Sequence, residues 1–183
     1  PLAGFLLVLM DKFKDFRQKF PSFTYESFEY SKEESSIDIS FNFFQSEDIK
    51  FNPKLKIVSN LKIQELKKEV LDNLVFNLGM IEMLSYWKAT CSPVVIIKCA
   101  NLNEEQKAYW QNLYEKGLGE FFYVNNIDFK KEQLVSFEAD SDRTFDKDEK
   151  EHAKRSIVLN GGGRDSVVSI EALKELEEEL AIL

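Results

Sequence analysis

Cysteine and histidine are scarce in this sequence, and their scarcity excludes several kinds of metal and redox site. The two cysteines, Cys91 and Cys99, form no Cys-x-x-Cys pair, so neither a paired zinc ligand set nor a dithiol motif is present. The single histidine, His152, excludes a histidine-rich zinc site. We therefore expect no metal held by protein ligands alone. Free thiols without a disulfide framework are typical of a reducing compartment, which predicts a cytoplasmic location.

The sequence also lacks an excess of basic residues and a long apolar run. Its formal net charge is −8 and its pI is about 4.9, which disfavours a nucleic acid as partner. The apolar stretch Gly4–Met10 is too short to span a bilayer and has no basic lead of the signal-peptide kind, so we expect no membrane partner. We interpret residues 1–9 as a start artefact or a scar, with Met10 as the natural start.

The sequence does contain enough apolar side chain for a core. Hydrophobic residues make up 44% of the chain and aromatic residues 13%. A helical spacing at 11–20 is followed by alternating apolar residues, which predict a β-rich amino-terminal module over residues 10–60. Its predicted strands are 23–30 and 36–44, joined as an antiparallel hairpin or meander, with a further strand at 55–58.

A helical and α/β segment is predicted over residues 61–154. Its first helix runs from about Ile63 to Thr90, with Gly79 as a close packing point or a kink and an i, i+4 apolar ladder of Leu66, Val70, Leu74, Leu78 and Ile81. The apolar run Val94–Ile97 is typical of a buried parallel strand. The remaining predicted elements are a helix opened by Asn103 and ended by Gly117, and short strands at 121–124 and 134–137.

The last segment, residues 155–183, has the order of a phosphate-binding loop. Ile157–Leu159 predicts a short buried strand, three glycines follow, and an amphipathic helix is predicted from Asp165 or Ser166 through Glu179. Glycine allows positive φ and close backbone approach, and a helix N-terminus adds unpaired N–H donors and a positive dipole. The pattern therefore predicts an anion site, with phosphate as its guest.

The residues after the glycines narrow the kind of loop. No lysine–serine or lysine–threonine pair follows, which excludes a Walker A loop, and no further glycine completes a dinucleotide fingerprint. Gly-Gly-Gly-Arg-Asp-Ser instead resembles the Ser-Gly-Gly-x-Asp-Ser loop of the PP-loop ATP pyrophosphatases, with asparagine in place of the first serine. The nucleotide-binding residues that this resemblance implies are Asn160, Gly161, Gly162, Gly163, Arg164, Asp165 and Ser166.

Two further stretches, Leu78–Pro93 and Lys116–Tyr123, are similar to segments of one family. It is the ATP-dependent bacterial epimerase family that inverts the terminal glutamate of UDP-N-acetylmuramoyl-L-alanyl-L-glutamate, a peptidoglycan precursor. The resemblance covers roughly residues 23–180 and follows one order of motifs: hairpin-rich start, Tyr-Trp-Lys segment, Gly-Leu-Gly-Glu-Phe-Phe-Tyr, glycine loop. Arg164 stands in place of the lysine in the family's loop.

The resemblance implies an α/β fold with an α+β amino-terminal part, followed by the first βα unit of a PP-loop or HUP-like parallel α/β domain. That domain is expected to be truncated here, so that this chain alone is an incomplete enzyme. ATP and Mg²⁺ are the implied cofactors, the UDP-activated muramyl dipeptide is the implied substrate, and inversion proceeds through an acyl adenylate. Two proton-transfer groups are required; Cys91, Lys88 and Glu120 are candidates without an assignment, and the oligomeric state stays open.

Two alternatives to the epimerase fit the same residues. Another PP-loop adenylating ligase or amidotransferase would use the loop to activate a carboxylate and then deliver ammonia. A non-catalytic amino-terminal module would instead dock a partner through the Phe41–Phe44 face of the hairpin. Loss of nucleotide binding in an otherwise intact protein would favour the module, and an ammonia-dependent amide product would favour the ligase.

Overall fold

A computed structural model of the chain describes residues 12–58, 63–128, 133–145, 155–174 and 179–182. The chain divides into a first unit, Pro1–Asp146, and a second unit, Lys147–Leu183. The predicted artefact at residues 1–9 and the single histidine, His152, lie outside the described residues. No helix in the described part of the chain is long and apolar enough to cross a membrane.

The first unit is built on one mixed sheet. Its strands are β1 Ser22–Lys32, β2 Ser36–Ser46, β3 Ile49–Phe51, β4 Lys54–Val58, β5 Val94–Ile97 and β6 Ser136–Ala139. They follow the order β3-β2-β1-β5-β6, and β4 also pairs with β2. The pairs β1–β2, β2–β3 and β2–β4 are antiparallel, whereas β1–β5 and β5–β6 are parallel. This confirms the α/β class, the predicted hairpin and the parallel pairing of Val94–Ile97. Strands from both predicted segments, residues 10–60 and residues 61–154, belong to this one sheet.

Helices connect and cover the strands of the first unit. They are α1 at residues 12–19, α2 Lys68–Trp87, α3 Glu104–Gly117 and α4 Gly119–Val124, with a short 3₁₀ turn at Ile63–Glu65. The predicted start and stop of α3 are confirmed. Asn103 accepts from the backbone N–H of Gln106 at 2.8 Å, and the Gln106 side chain accepts from the N–H of Asn103 at 2.9 Å. This reciprocal pair satisfies two N–H donors at the start of the helix.

The core lies where the hairpin packs on α2. Alternate side chains of β1 and β2 are buried, among them Tyr25 and Phe41, as the period of two in the sequence predicts. Gly79 of α2 allows the close approach, since a Cβ there would lie 2.0 Å from the Tyr25 Oη. The prediction of a close packing point at Gly79 is therefore confirmed.

The predicted apolar ladder of α2 is wrong by about one residue in phase. Leu74 and Ile81 are more than half exposed. The buried residues of α2 are Leu71, Asp72, Val75, Phe76, Gly79, Met80, Met83 and Trp87. The core-facing stripe carries two aromatic side chains, Phe76 and Trp87, and two methionines, Met80 and Met83, which pack against the sheet.

Two predicted boundaries in the first unit also change. The predicted strand at 121–124 is helical, because the N–H of Phe122 donates to Leu118 O at 3.0 Å and that of Asn125 to Phe121 O at 3.1 Å. A four-residue apolar run does not by itself distinguish a strand from a helical turn. Helix α2 begins later and ends earlier than the helix predicted from about Ile63 to Thr90, since its bounds are Lys68 and Trp87.

The second unit contains a strand–helix–strand arrangement. β7 Arg155–Val158 is followed by α5 Arg164–Lys174 and by β8 Glu179–Ile182, and the two strands pair in parallel with Ile157 opposite Ala181. The predicted helix through Glu179 is therefore wrong at its end. The apolar run that contains Ala181 is the second strand of a βαβ unit, in which one helix links two parallel neighbours.

Candidate functional site

The glycine loop of the second unit joins β7 to α5. Gly162 has a φ of +76°, a conformation that glycine adopts readily and most L-residues avoid. A Cβ added at Gly161, Gly162 or Gly163 would meet no atom within 4 Å, and residues 159–165 are exposed. The loop is therefore an open backbone turn at the start of a helix, the arrangement that suits a phosphate group.

Asn160 accepts a hydrogen bond inside this loop. Its Oδ1 lies 3.0 Å from the backbone nitrogen of Gly162, so this N–H has an acceptor within the loop itself. An entering anion would have to compete with the asparagine for that donor. The neighbouring N–H groups at the start of α5 are not engaged by this side chain.

The start of α5 corrects one prediction. The helix begins at Arg164, and Gly163 O accepts from the N–H of Val167 at 3.4 Å, so Gly163 precedes the helix and Asp165 lies within the first turn. The helix therefore starts before Asp165, the earlier of the two predicted start positions. Ser166 follows it in the same turn, as predicted. Arg164 is exposed at the helix start, where its charge is available to an anion.

The residues of the loop have the features that a phosphate group requires. Three glycines without side chains, open surroundings and a helix N-terminus provide donors and positive potential at one place. Among the described residues, no group of three or more histidine, cysteine, aspartate or glutamate side chains is placed to hold a metal ion. Mg²⁺ that accompanies the phosphates would be held largely through phosphate oxygens, and Asp165 is the carboxylate that the loop itself carries.

The predicted proton-transfer candidates lie in the first unit and do not form one group. Cys91 and Lys88 line a cavity of about 180 Å³ at the end of α2, whereas Glu120 is exposed in the first turn of α4. The Cys91 thiol is buried and lies 3.7 Å from Lys88 O. Burial raises the pKa of Cys91 to about 12, with a small opposing effect of the Arg17 charge, so the thiol stays protonated at neutral pH. Its part in proton transfer remains a prediction.

A second polar site in the first unit surrounds a buried carboxylate. Asp72 is 7% exposed and accepts from Tyr30 Oη at 2.7 Å, from Lys68 Nζ at 2.6 Å and from Arg143 Nη2 at 2.7 Å. It lies in a cleft of about 570 Å³, which we call the Asp72 cleft. The cleft is lined by Phe28, Glu29, Tyr30, Lys32, Lys68, Asp72 and Arg143.

Opposing effects act on the ionisation of this site. Burial raises the pKa of Asp72, but the hydrogen bonds from Lys68 and Tyr30 and the charges of Lys68 and Arg143 outweigh it and hold the pKa below its ordinary value. Burial, followed by the hydrogen bond to Asp72, raises the pKa of Tyr30 to about 12. At neutral pH the site therefore holds an ionised carboxylate, two cations and a neutral phenol.

Replacing Asp72 with asparagine should destabilise the first unit in a pH-dependent way. Because the folded-state pKa is lowered, the ionised carboxylate contributes stability above its unfolded pKa of about 4, and this contribution disappears as pH falls through the folded value. We expect a loss of about 1–3 kcal/mol at pH 7 and a smaller difference from the parent chain below about pH 4. Urea unfolding followed by tryptophan fluorescence at both pH values measures this difference.

Asp38→Asn is the control for this prediction. It breaks the ion pair with Lys56 at 3.2 Å, whose side chains are 45% and 56% exposed. An exposed pair contributes little, so we expect a change below about 0.5 kcal/mol at either pH. Equal effects of the two substitutions would contradict a stabilising role of the buried carboxylate.

Sequence reasoning missed Asp72, Tyr30 and Arg143. The usable signal was a carboxylate on the apolar face of α2, next to Leu71 and in line with Val75 and Phe76. The wrongly predicted phase of α2 places Asp72 on the solvent-facing side of the helix, where a carboxylate is not a candidate for a site.

The fold and the loop together define a class of protein. This is a mixed α/β protein in which a βαβ segment carries a phosphate-type glycine loop at a helix N-terminus. The sequence matches the model of the MurL N-terminal domain over residues 14–183, and the chain belongs to that family. The match confirms the family resemblance drawn from the motifs, including its amino-terminal portion.

A curated relative is similar over part of the chain. The UDP-N-acetyl-alpha-D-muramoyl-L-alanyl-L-glutamate epimerase of Xanthomonas oryzae pv. oryzae (strain MAFF 311018) is 33% identical over 97 residues. The aligned segment is 53% of this chain and 21% of the relative, so the match spans about a fifth of the relative's length. No solved structure matches the chain.

Proposed function

We propose that this chain acts as the amino-terminal part of an ATP-dependent epimerase that converts the terminal L-glutamate of UDP-N-acetylmuramoyl-L-alanyl-L-glutamate to D-glutamate. The match to the MurL N-terminal domain over residues 14–183 carries the proposal. The name of the Xanthomonas relative supports the reaction and the substrate. The open glycine loop at the start of α5 supports the use of ATP.

The chemistry explains why a phosphate loop belongs in an epimerase. A glutamyl α-proton is weakly acidic while the adjacent carboxylate is ionised, because its removal places a second negative charge beside the first. When bound, ATP would transfer its adenylyl group to this carboxylate and release pyrophosphate at that step. Hydrolysis of the acyl adenylate after inversion would then release AMP. In this proposal Gly161 and Gly163 donate backbone N–H groups to the phosphates, Ser166 donates its hydroxyl, and Arg164 offsets negative charge.

Isotope exchange tests the proposed reaction. The complete gene product that contains these residues is incubated in deuterated water with the UDP-muramyl dipeptide, ATP and Mg²⁺. We expect D-glutamate in the product, deuterium at its α-carbon, and one AMP and one pyrophosphate for each inversion. ADP as the nucleotide product, or inversion without deuterium, would contradict the proposal. An amide that forms only when ammonia is added would indicate an adenylating ligase instead.

A further inference from the structure

The Asp72 cleft lies at the end of the sheet where α/β proteins bind ligands. In the parallel part of the sheet, Tyr25, Ile97 and Ala139 are the last paired residues of β1, β5 and β6. Tyr30 lies beyond that point on β1, and Arg143 follows shortly after the end of β6. Ligands of open α/β sheets bind outside the carboxyl ends of the strands, so this is a favoured place for a site.

Arg143 is fixed in position but remains accessible. Its Nη2 donates to Asp72, and its guanidinium carbon lies 5.2 Å from the ring centre of Phe28 and 5.0 Å from that of Phe145. Its side chain is nevertheless 42% exposed. Within the described part of the chain, Asp72 is the one side-chain acceptor of this guanidinium. A guanidinium carries five N–H donors in a planar fork, so it can contact a ligand while it holds Asp72.

Two lysines and the start of α2 add positive charge to the same cleft. Lys68 is the first residue of α2 and is 72% exposed, although it also contacts Asp72. Lys32 lines the cleft and donates to Leu66 O at 2.8 Å. At the N-cap position, Lys67 provides no side-chain hydrogen bond to the first-turn N–H groups of the helix. No capping side chain reduces the positive potential at that helix end, and Glu69 in the first turn offsets only part of the charge of the neighbouring lysines.

The balance of charge in the cleft differs from that of the whole chain. Three cations and two carboxylates line it, an excess of one positive charge in a protein whose net charge is −8. Asp72 already accepts hydrogen bonds from two of these cations, Lys68 and Arg143. Several charged donors at one place favour a ligand with a charged oxyanion over a ligand with one neutral acceptor. The volume of about 570 Å³ lies within the range for small-molecule sites.

We propose that the Asp72 cleft binds a phosphate or diphosphate group of a small molecule, with Arg143 and Lys68 as direct contacts and Asp72 as the residue that positions them. This site is in the first unit and uses none of the residues of the glycine loop. It does not depend on the epimerase reaction. A free pyrophosphate and a nucleoside diphosphate present the same chemistry to it.

Residue-resolved NMR of the chain provides the test. Pyrophosphate, UDP and L-alanyl-L-glutamate are each titrated while the backbone amide signals of Tyr30, Lys68, Asp72 and Arg143 are followed. We expect saturable shifts with the first two probes. UDP affinity at least tenfold above that of pyrophosphate would identify a nucleoside diphosphate as the ligand, and similar affinities would identify the free anion. Shifts with the dipeptide alone, or with no probe, would overturn the proposal.

Matched substitutions separate this site from the glycine loop. Arg143→Gln and Lys68→Gln, both at exposed side chains, should each lower the affinity measured in the cleft at least fivefold and leave shifts at residues 161–166 unchanged. Arg164→Gln should have the opposite pattern. Cleft affinity that is unaffected by Arg143→Gln and Lys68→Gln would overturn the proposal even if the loop binds ATP. Loss of loop binding alone would count against the proposed function only.

Discussion

Replacing Gly79 with alanine is expected to lower the free energy of unfolding of the first unit by about 3 kcal/mol, one of the largest effects of any single methyl group in this chain. The added Cβ would lie 2.0 Å from Tyr25 Oη, 2.6 Å from its Cζ and 2.8 Å from Phe41 Cδ1. All of these atoms belong to buried rings of the hairpin, so neither partner can move aside without disturbing the core. The gain in helix propensity, about 1 kcal/mol, is too small to compensate.

Urea unfolding followed by tryptophan fluorescence measures the effect, because both tryptophans, Trp87 and Trp110, belong to the first unit. Gly117→Ala is the matched control, since its Cβ would meet only Leu113 Cδ1 at 3.8 Å and should be neutral or slightly stabilising. Equal stability of the Gly79 and Gly117 variants would show that the hairpin and α2 are not packed as closely as described.

Tyr25→Phe tests the cause of this loss. The buried Oη of Tyr25 has no hydrogen-bond partner among the described residues, so its removal alone should change stability by less than about 1 kcal/mol. In the double variant with Gly79→Ala, the nearest clash is gone, whereas the contact with the ring remains. We therefore expect a loss intermediate between those of the two single variants, and a coupling between the sites of about 1 kcal/mol or more.

The parts of the fold that the sequence predicted correctly depend on local patterns. Each of these patterns is contained in one short stretch of sequence. Examples are the alternation in the hairpin, the apolar run Val94–Ile97 and the capping signal at Asn103. The phase of α2 could not be predicted in this way, because both of its sides carry apolar residues, with Leu74 and Ile81 on one and Phe76, Met80 and Met83 on the other. Which stripe faces inward was decided by packing against a hairpin that is distant in sequence, with Gly79 at the point of closest approach.

The same reason explains why one candidate site could be predicted from the sequence and the other could not. The glycine loop is contiguous, so its glycines and the start of the following helix were visible in the sequence. The Asp72 cleft joins Tyr30, Asp72 and Arg143 from a strand, a helix and a segment after the last strand of the sheet. No spacing rule connects such positions. A buried aspartate requires partners, but that argument was available only once the correct face of α2 was known.

Replacing Gly162 with valine is expected to weaken pyrophosphate binding at the glycine loop at least tenfold. The φ of +76° is accessible to glycine, but for a β-branched residue it costs about 1–3 kcal/mol. The loop would relieve this strain by turning its backbone N–H groups away from a common point, and the bond from Gly162 N–H to Asn160 would be lost with them. Calorimetric titration with pyrophosphate, together with NMR shifts at residues 161–166, measures the change.

Gly162→Asn provides the matched comparison. Asparagine is tolerated at positive φ much better than valine, and a Cβ at this position would meet no atom within 4 Å. If the backbone conformation is what the loop requires, the asparagine variant should bind within about threefold of the parent chain. Equal and complete loss in both variants would mean that any side chain at Gly162 blocks the anion itself, which would place the phosphate directly over this residue. Unchanged binding in the valine variant would exclude the positive-φ turn from the anion site, because the altered backbone would then have no effect on the ligand.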